Sequence, residues 1–130
     1  MEYEELTQKI VAAAYSVYYR MGFGFLESVY EKCLLIELEK NALRAESQKP
    51  IIVKYENEIV GEFKADILVE DTIILELKSV RNITQAHEVQ LVNYLVATGK
   101  PVGLILNFGE QKVDVKRKVR DLEIVQQDKM

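Results

Sequence analysis

The stretch that decides the fold is Ala65-Asp66-Ile67-Leu68-Val69-Glu70-Asp71-Thr72-Ile73-Ile74-Leu75-Glu76-Leu77-Lys78. It reads as two short strands around a polar connection, because side chains alternate between the two faces of a strand. In the first strand, about residues 59–69, Ala65, Ile67 and Val69 are expected on one face and Asp66 and Leu68 on the other. In the second, about 73–79, Ile73, Leu75 and Leu77 share one face, and Ile74, Glu76 and Lys78 share the other. If the apolar faces must coincide, only every second pairing register is allowed. A three-residue loop at Glu70-Asp71-Thr72 satisfies this: Val69 then faces Ile73, and Asp66 faces Glu76. Loops of two or four residues would set an apolar face beside a charged one. The pattern therefore brings two carboxylates together, with Lys78 two residues along on the same face.

Two like charges directly opposite on a sheet are destabilising. Three things could offset the repulsion. A divalent cation is one, since Mg²⁺ takes one or two carboxylates together with waters and phosphate oxygens. The Lys78 ammonium is another. A raised carboxylate pKa is the third. Short Asp…Glu-x-Lys matches also arise by chance on solvated strands, so the motif by itself does not decide among these.

Upstream, residues 3–21 read as an amphipathic helix, with Leu6, Ile10, Ala13, Val17 and Met21 recurring at spacings of three and four. Gly22-Phe23-Gly24 breaks it, Gly22 standing where a left-handed helix cap is common. A second helix is expected from about Leu26 to Asn41, with Val29, Cys33, Leu34 and Leu38 as its apolar stripe. Pro50 opens β character, giving a strand at Ile51-Ile52-Val53-Lys54-Tyr55 and a turn at Glu56-Asn57-Glu58. Gly61 marks a bend or bulge. After the acidic pair the helical period returns from Thr84, a suitable N-cap, to about Ala97. Gly99-Lys100-Pro101 ends that helix. The apolar run Val102–Asn107 fits a strand buried on both faces. Further strands are expected near 112–117 and, briefly, near 122–125. The main order is α-α-β-β-β-α-β-β, an α/β fold with a central mixed sheet flanked by helices.

The 130 residues suit one domain, 1–130, able to bury a core without disulfides. The one cysteine, Cys33, excludes an internal disulfide and a cysteine zinc cluster, and reads as a helix residue packed inward. There is no long apolar run, and the start Met1-Glu2-Tyr3-Glu4-Glu5 is acidic, which points to the cytoplasm. A net charge of −4 and a pI near 5.1 argue against non-specific coating of nucleic acid. The exception is the segment 112–120, where Lys112, Lys116, Arg117, Lys118 and Arg120 stand with one acid, Asp114. It reads either as a solvated face or as a phosphate contact.

Two other stretches carry chemistry-bearing residues. Glu27, Tyr30 and Leu34 are spaced to share a helix face. Glu27 could reach the sheet or could simply face the helix dipole. On the third helix, His87, Gln90 and Tyr94 are helical neighbours. A lone histidine is more often a hydrogen-bonded surface residue than a ligand.

Taken together these motifs resemble a known family. Gly24-x-x-Glu27-x-x-Tyr30 is similar to the signature of the small GxxExxY proteins of the PD-(D/E)XK nuclease-like superfamily. The resemblance continues through Ala65–Val69, Leu75-Glu76-Leu77-Lys78, His87-Glu88-x-Gln90-Leu91-x-x-Tyr94-Leu95, Thr98-Gly99 and Leu106-Asn107-Phe108-Gly109, and spans roughly residues 7 to 110. It implies a restriction-endonuclease-like core. It implies that Asp66, Glu76, the Leu77 carbonyl and Glu27 hold Mg²⁺ or Mn²⁺, and that Lys78 acts in catalysis beside them. Tyr30, His87 and Gln90 would position substrate or water. The implied activity is hydrolysis of a phosphodiester in DNA or RNA. The other reading is a nuclease-fold module that binds nucleic acid, a nucleotide or a protein partner without cutting. A homodimer would supply a second site for duplex cleavage. Two positions depart from the family pattern: Tyr18 stands where a histidine follows Val17, and Phe23 where proline is common.

Overall fold

The computed structural model describes residues 3–120. Its elements are α1 (Glu4–Met21), α2 (Glu27–Lys40), β1 (Ala45–Tyr55), β2 (Glu58–Val69), β3 (Ile73–Lys78), α3 (Gln85–Thr98), β4 (Val102–Phe108) and β5 (Val113–Val119). The expected order α-α-β-β-β-α-β-β is the one found, and the strand expected near 122–125 lies outside the described residues. The five strands lie side by side in chain order. All neighbouring pairs are antiparallel except β3 and β4. Parallel neighbours need a long crossover, and α3 supplies it. No helix among the described residues is long and apolar enough to cross a membrane.

The two faces of the sheet bury separate apolar clusters. On one, α1 and α2 contribute Ile10, Val17, Tyr30 and Leu34 against Ile67, Val69, Ile73, Leu75 and Leu77. Cys33 is half-buried against this cluster. On the other, Leu91, Tyr94 and Leu95 of α3 pack on Ile51, Ala65, Leu68, Ile74 and Ile105. Each large apolar side chain so buried contributes about 1.5–3 kcal/mol. The close approach of α3 requires Gly103: a Cβ there would lie 2.7 Å from a Leu91 methyl. β4 is buried along its whole length, as its apolar run implies.

Helix α3 follows its sequence signals at both ends, Gly99 closing it in the left-handed region with its N–H on Leu95. Gly22 does close α1, its N–H on Tyr18, but at φ 71° and ψ −165°, outside the left-handed cap expected for it. Thr84 caps α3, its hydroxyl accepting from the His87 N–H. β1 differs from expectation, starting at Ala45 rather than Ile51. Pro50 therefore sits inside a strand, which is tolerated because β1 is a sheet edge. Glu56 and Asn57, both at positive φ, make the tight turn from β1 to β2. The register steps by one between Val53 and Lys54, so Val60 is a bulge next to Gly61.

Candidate metal centre

β2 and β3 pair through Val69↔Ile73, Leu68↔Ile74 and Ile67↔Leu75, across the three-residue loop 70–72. The next step in that register holds Asp66 and Glu76. There the ladder ends, because the Asp66 carboxylate itself takes the strand's next donor: Oδ2 accepts from the Leu77 N–H at 2.7 Å. Beyond this point β2 continues with β1 alone and β3 with β4 alone. The acids thus sit in a fork of the sheet.

The other side of the fork shows why it opens. On β1, the pairs Ser47↔Ile67 and Lys49↔Ala65 flank Gln48, which takes φ 54°. A left-handed non-glycine residue costs backbone energy and interrupts alternation. Both strands turn over here. Ile67 and Val69 face α1 and α2, but Ala65 packs with Leu68 towards α3. The expectation that Ala65, Ile67 and Val69 share one face is therefore corrected. The outer half of the β1–β2 hairpin becomes an arm that leans on α3.

Glu76 is only 7% exposed, and its Oε1 is buried without a hydrogen-bond partner. Burial, reinforced by the charge of Asp66, pushes its pKa from 4.5 up to about 8, against the opposing pull of Lys78 and the Asp66 main chain. The Asp66 pKa is also raised, mainly by burial, while the Leu77 N–H works the other way. Lys78 is half-buried and lowers both acids through its charge. Its strand end is held in place by Asn107, whose amide makes two hydrogen bonds with the main chain of Val80, at 2.9 and 2.8 Å. Among the described residues no three His, Cys, Asp or Glu side chains are gathered as a metal cage. What the fork holds is a pair of acids with a nearby amine.

A family model described as PD-(D/E)XK nuclease superfamily matches residues 4–118. The chain belongs to that superfamily. Among solved structures, SSO0001 is similar to this PD-(D/E)XK chain with a TM-score of 0.59 at 17% identity, over 95% of this chain and 62% of SSO0001. This chain thus spans less than two thirds of that protein's length. An alkaline exonuclease (LHK-Exo) from Laribacter hongkongensis gives a TM-score of 0.46 at 13% identity, over 94% of this chain and 87% of that one. No curated protein matches the sequence.

Around this PD-(D/E)XK core the remaining residues separate by position. Glu27 opens α2 and is exposed; its charge is the last of the influences on Asp66. Glu31, one turn on, raises the pKa of both Asp66 and Glu76. It is fixed by the Ser47 hydroxyl at 3.0 Å and the Gln48 amide at 2.8 Å. Its signal in the sequence was the i, i+4 spacing from Glu27.

Tyr30 is fully buried, its ring stacked on Phe108 at 4.3 Å. Its hydroxyl donates to the Gly22 carbonyl and accepts from the Phe25 N–H. Tyr30, expected to position substrate or water, has its ring sealed between α2 and β4, where it ties down the α1–α2 loop. His87 uses Nδ1 to accept from the Thr84 N–H at 3.1 Å, completing a capping box. That bond makes His87 part of the start of α3. Gln90 is exposed and lines a groove beside the arm. Tyr94, one turn beyond Gln90, is 8% exposed, and its pKa is raised by burial and then by Glu76 and Asp66. Tyr18, in the histidine's place, donates to the Gly109 carbonyl at 2.6 Å. The basic run 112–120 is divided by strand alternation: Lys118 pairs with Glu88 of α3 at 2.7 Å, with Lys116 acting on the same acid.

Proposed function

We propose that this chain is a metal-dependent phosphodiesterase that hydrolyses DNA or RNA, acting as a single domain in the cytoplasm and similar to the GxxExxY proteins. The observation that carries the reading is the buried, unpartnered Glu76 Oε1 beside Asp66. A buried carboxylate oxygen without a donor costs free energy unless a proton or a cation meets it. Two acids, the Leu77 carbonyl and water suit Mg²⁺ or Mn²⁺, which prefer oxygen ligands and keep several waters. Glu27 would join through water, and Glu31 would hold the β1 side of the fork. When bound, the ion supplies Lewis-acid polarisation of the phosphate and a nucleophile at neutral pH.

The chain's own groups do the rest. Asp66, locked by the Leu77 N–H, presents a fixed carboxylate. Glu76 gives up its proton on loading, because its pKa of about 8 lies within reach of neutrality. Lys78 offers a positive charge to the phosphoryl oxygens as negative charge builds on them. Gln90 contacts the strand being cut. A homodimer would add a second site for duplex cleavage.

A reading as a binding module that does not cut draws support from the net charge of −4. A cleavage assay with Mg²⁺ or Mn²⁺ on DNA and RNA separates the two. Wild type should cut, and Lys78→Ala and Asp66→Ala should not. Equal activity in all three proteins would defeat the proposed site.

A further inference from the structure

The turnover of β1 and β2 at the fork leaves a groove of about 1140 Å³ between the hairpin arm and α3. Ile52, Lys54 and Phe63 line it from the arm, and Gln90, Asn93 and Tyr94 from the helix. Phe63 is 45% exposed although its ring already meets Tyr94 at a centroid distance of 5.5 Å and a tilt of 39°. Gly61 makes room for that ring, since a Cβ there would lie 3.0 Å from Phe63 Cε2. At its inner wall stands Tyr94, which senses Glu76 and Asp66. Tyr94 thus stands between the groove it lines and the acid pair, neither acid lining the groove itself.

Its chemistry discriminates between forms of nucleic acid. Duplex is held mainly through phosphates, by several Lys and Arg side chains. Among the described lining residues Lys54 is the one cation. Unpaired bases are instead held by stacking on aromatic rings and by hydrogen bonds from amide side chains to their edges. Phe63 offers a ring that is nearly half exposed, and Gln90 and Asn93 offer donors and acceptors three residues apart on one helix.

We infer that this groove holds an unpaired stretch of the substrate strand, with one base stacked on Phe63 and its edge met by Gln90 or Asn93. The inference rests on the nucleic-acid reading above and narrows it to substrates with a single-stranded segment at the cut.

The test is binding, not cleavage. Fluorescence anisotropy would compare labelled oligothymidine and oligouridine of about a dozen nucleotides with a blunt duplex of equal length, in Ca²⁺. Wild type should favour the single strands by about tenfold or more, the oligothymidine and oligouridine arms showing whether DNA or RNA is preferred. Base stacking of about 1–3 kcal/mol predicts that Phe63→Ala weakens single-strand binding roughly 5- to 150-fold. Phe63→Leu should weaken it similarly while keeping apolar bulk, and Phe63→Trp should restore it. Thermal melts of the three variants check that the arm is folded. Equal affinity for duplex and single strand, or identical affinity for the Leu and Trp variants, would overturn the groove assignment. If cleavage that depends on Asp66 persisted in that case, the nuclease reading would stand without it. Binding to none of the probes would overturn both.

Discussion

Replacing Glu76 by glutamine should stabilise the metal-free protein, and by an amount that grows with pH. Unfolded, the Glu76 carboxyl titrates near 4.5; folded, near 8. Between those values the native state holds a proton that the unfolded state has lost, so native stability falls as pH rises through the window. At about 1.4 kcal/mol for each pH unit, the whole effect comes to ~5 kcal/mol, complete above about pH 9. Glutamine has the same shape and no charge. Because Glu76 Oε1 already lacks a partner, little hydrogen bonding is lost with it. Urea unfolding in EDTA should therefore find Glu76→Gln more stable than wild type by about 1 kcal/mol at pH 5, about 3 at pH 7 and about 5 at pH 9. Saturating Mn²⁺ should then narrow the gap, because an ion that binds only the native state stabilises it by RT ln(1 + [L]/Kd), about 2.7 kcal/mol at a hundredfold excess over Kd, most of the difference at pH 7. The variant should gain little from Mn²⁺. If the wild-type and variant curves ran parallel from pH 5 to 9, or the variant were weaker at pH 9, the account of a strained buried acid would be wrong.

Asp66→Asn should keep the fold, since its amide oxygen can still accept from the Leu77 N–H, while removing a charge that helps raise the Glu76 pKa. The pH-dependent loss of stability from Glu76 should then be smaller and end at a lower pH than in wild type, read by the same urea titrations, and cleavage should vanish. Tyr30→Phe deletes a buried hydroxyl bond to Gly22 but keeps the stack on Phe108, so it should cost about 1–2 kcal/mol in urea unfolding and leave KM unchanged; a raised KM with intact stability would return Tyr30 to the substrate. His87→Ala removes half of the capping box on α3 and should lower stability by about 1 kcal/mol in thermal melts, with kcat close to wild type.

Much of this architecture was legible because it depends on local period. The alternation in Ile67–Val69 and Ile73–Leu77, together with a loop of three residues, was enough to set the β2–β3 register, and the run Val102–Asn107 announced a fully buried strand. The start of β1 was hidden because Glu46, Ser47, Gln48 and Lys49 are polar and Pro50 follows; only an edge strand permits that composition. The turnover at Gln48 was also illegible. Left-handed backbone is usually signalled by glycine or asparagine, and here tertiary contact with Glu31 accompanies it instead. Tyr30 and Glu27 share a helix face by count, yet one is sealed against Phe108 and the other is exposed at the first helical position. His87 is taken up by a cap that a reading of Glu or Gln at the third helical position would miss.

The fork ties these features into one physical cause. While two strands remain paired, their side chains project above and below the sheet and a carboxylate cannot replace a main-chain acceptor. At the level where Gln48 takes φ 54°, β2 and β3 part, and the Leu77 N–H needs a partner other than the β2 main chain. Asp66 meets that need and is fixed by it. The same turnover of β2 sets Phe63 against Tyr94 on the α3 side of the sheet. An uninterrupted hairpin would have satisfied Leu77 through the backbone and directed Phe63 to the opposite face. The main-chain lock on Asp66 and the groove beside it thus accompany one break in the sheet, and a change that restored regular pairing at Gln48 would remove the lock and close the groove while leaving the two acids opposite each other.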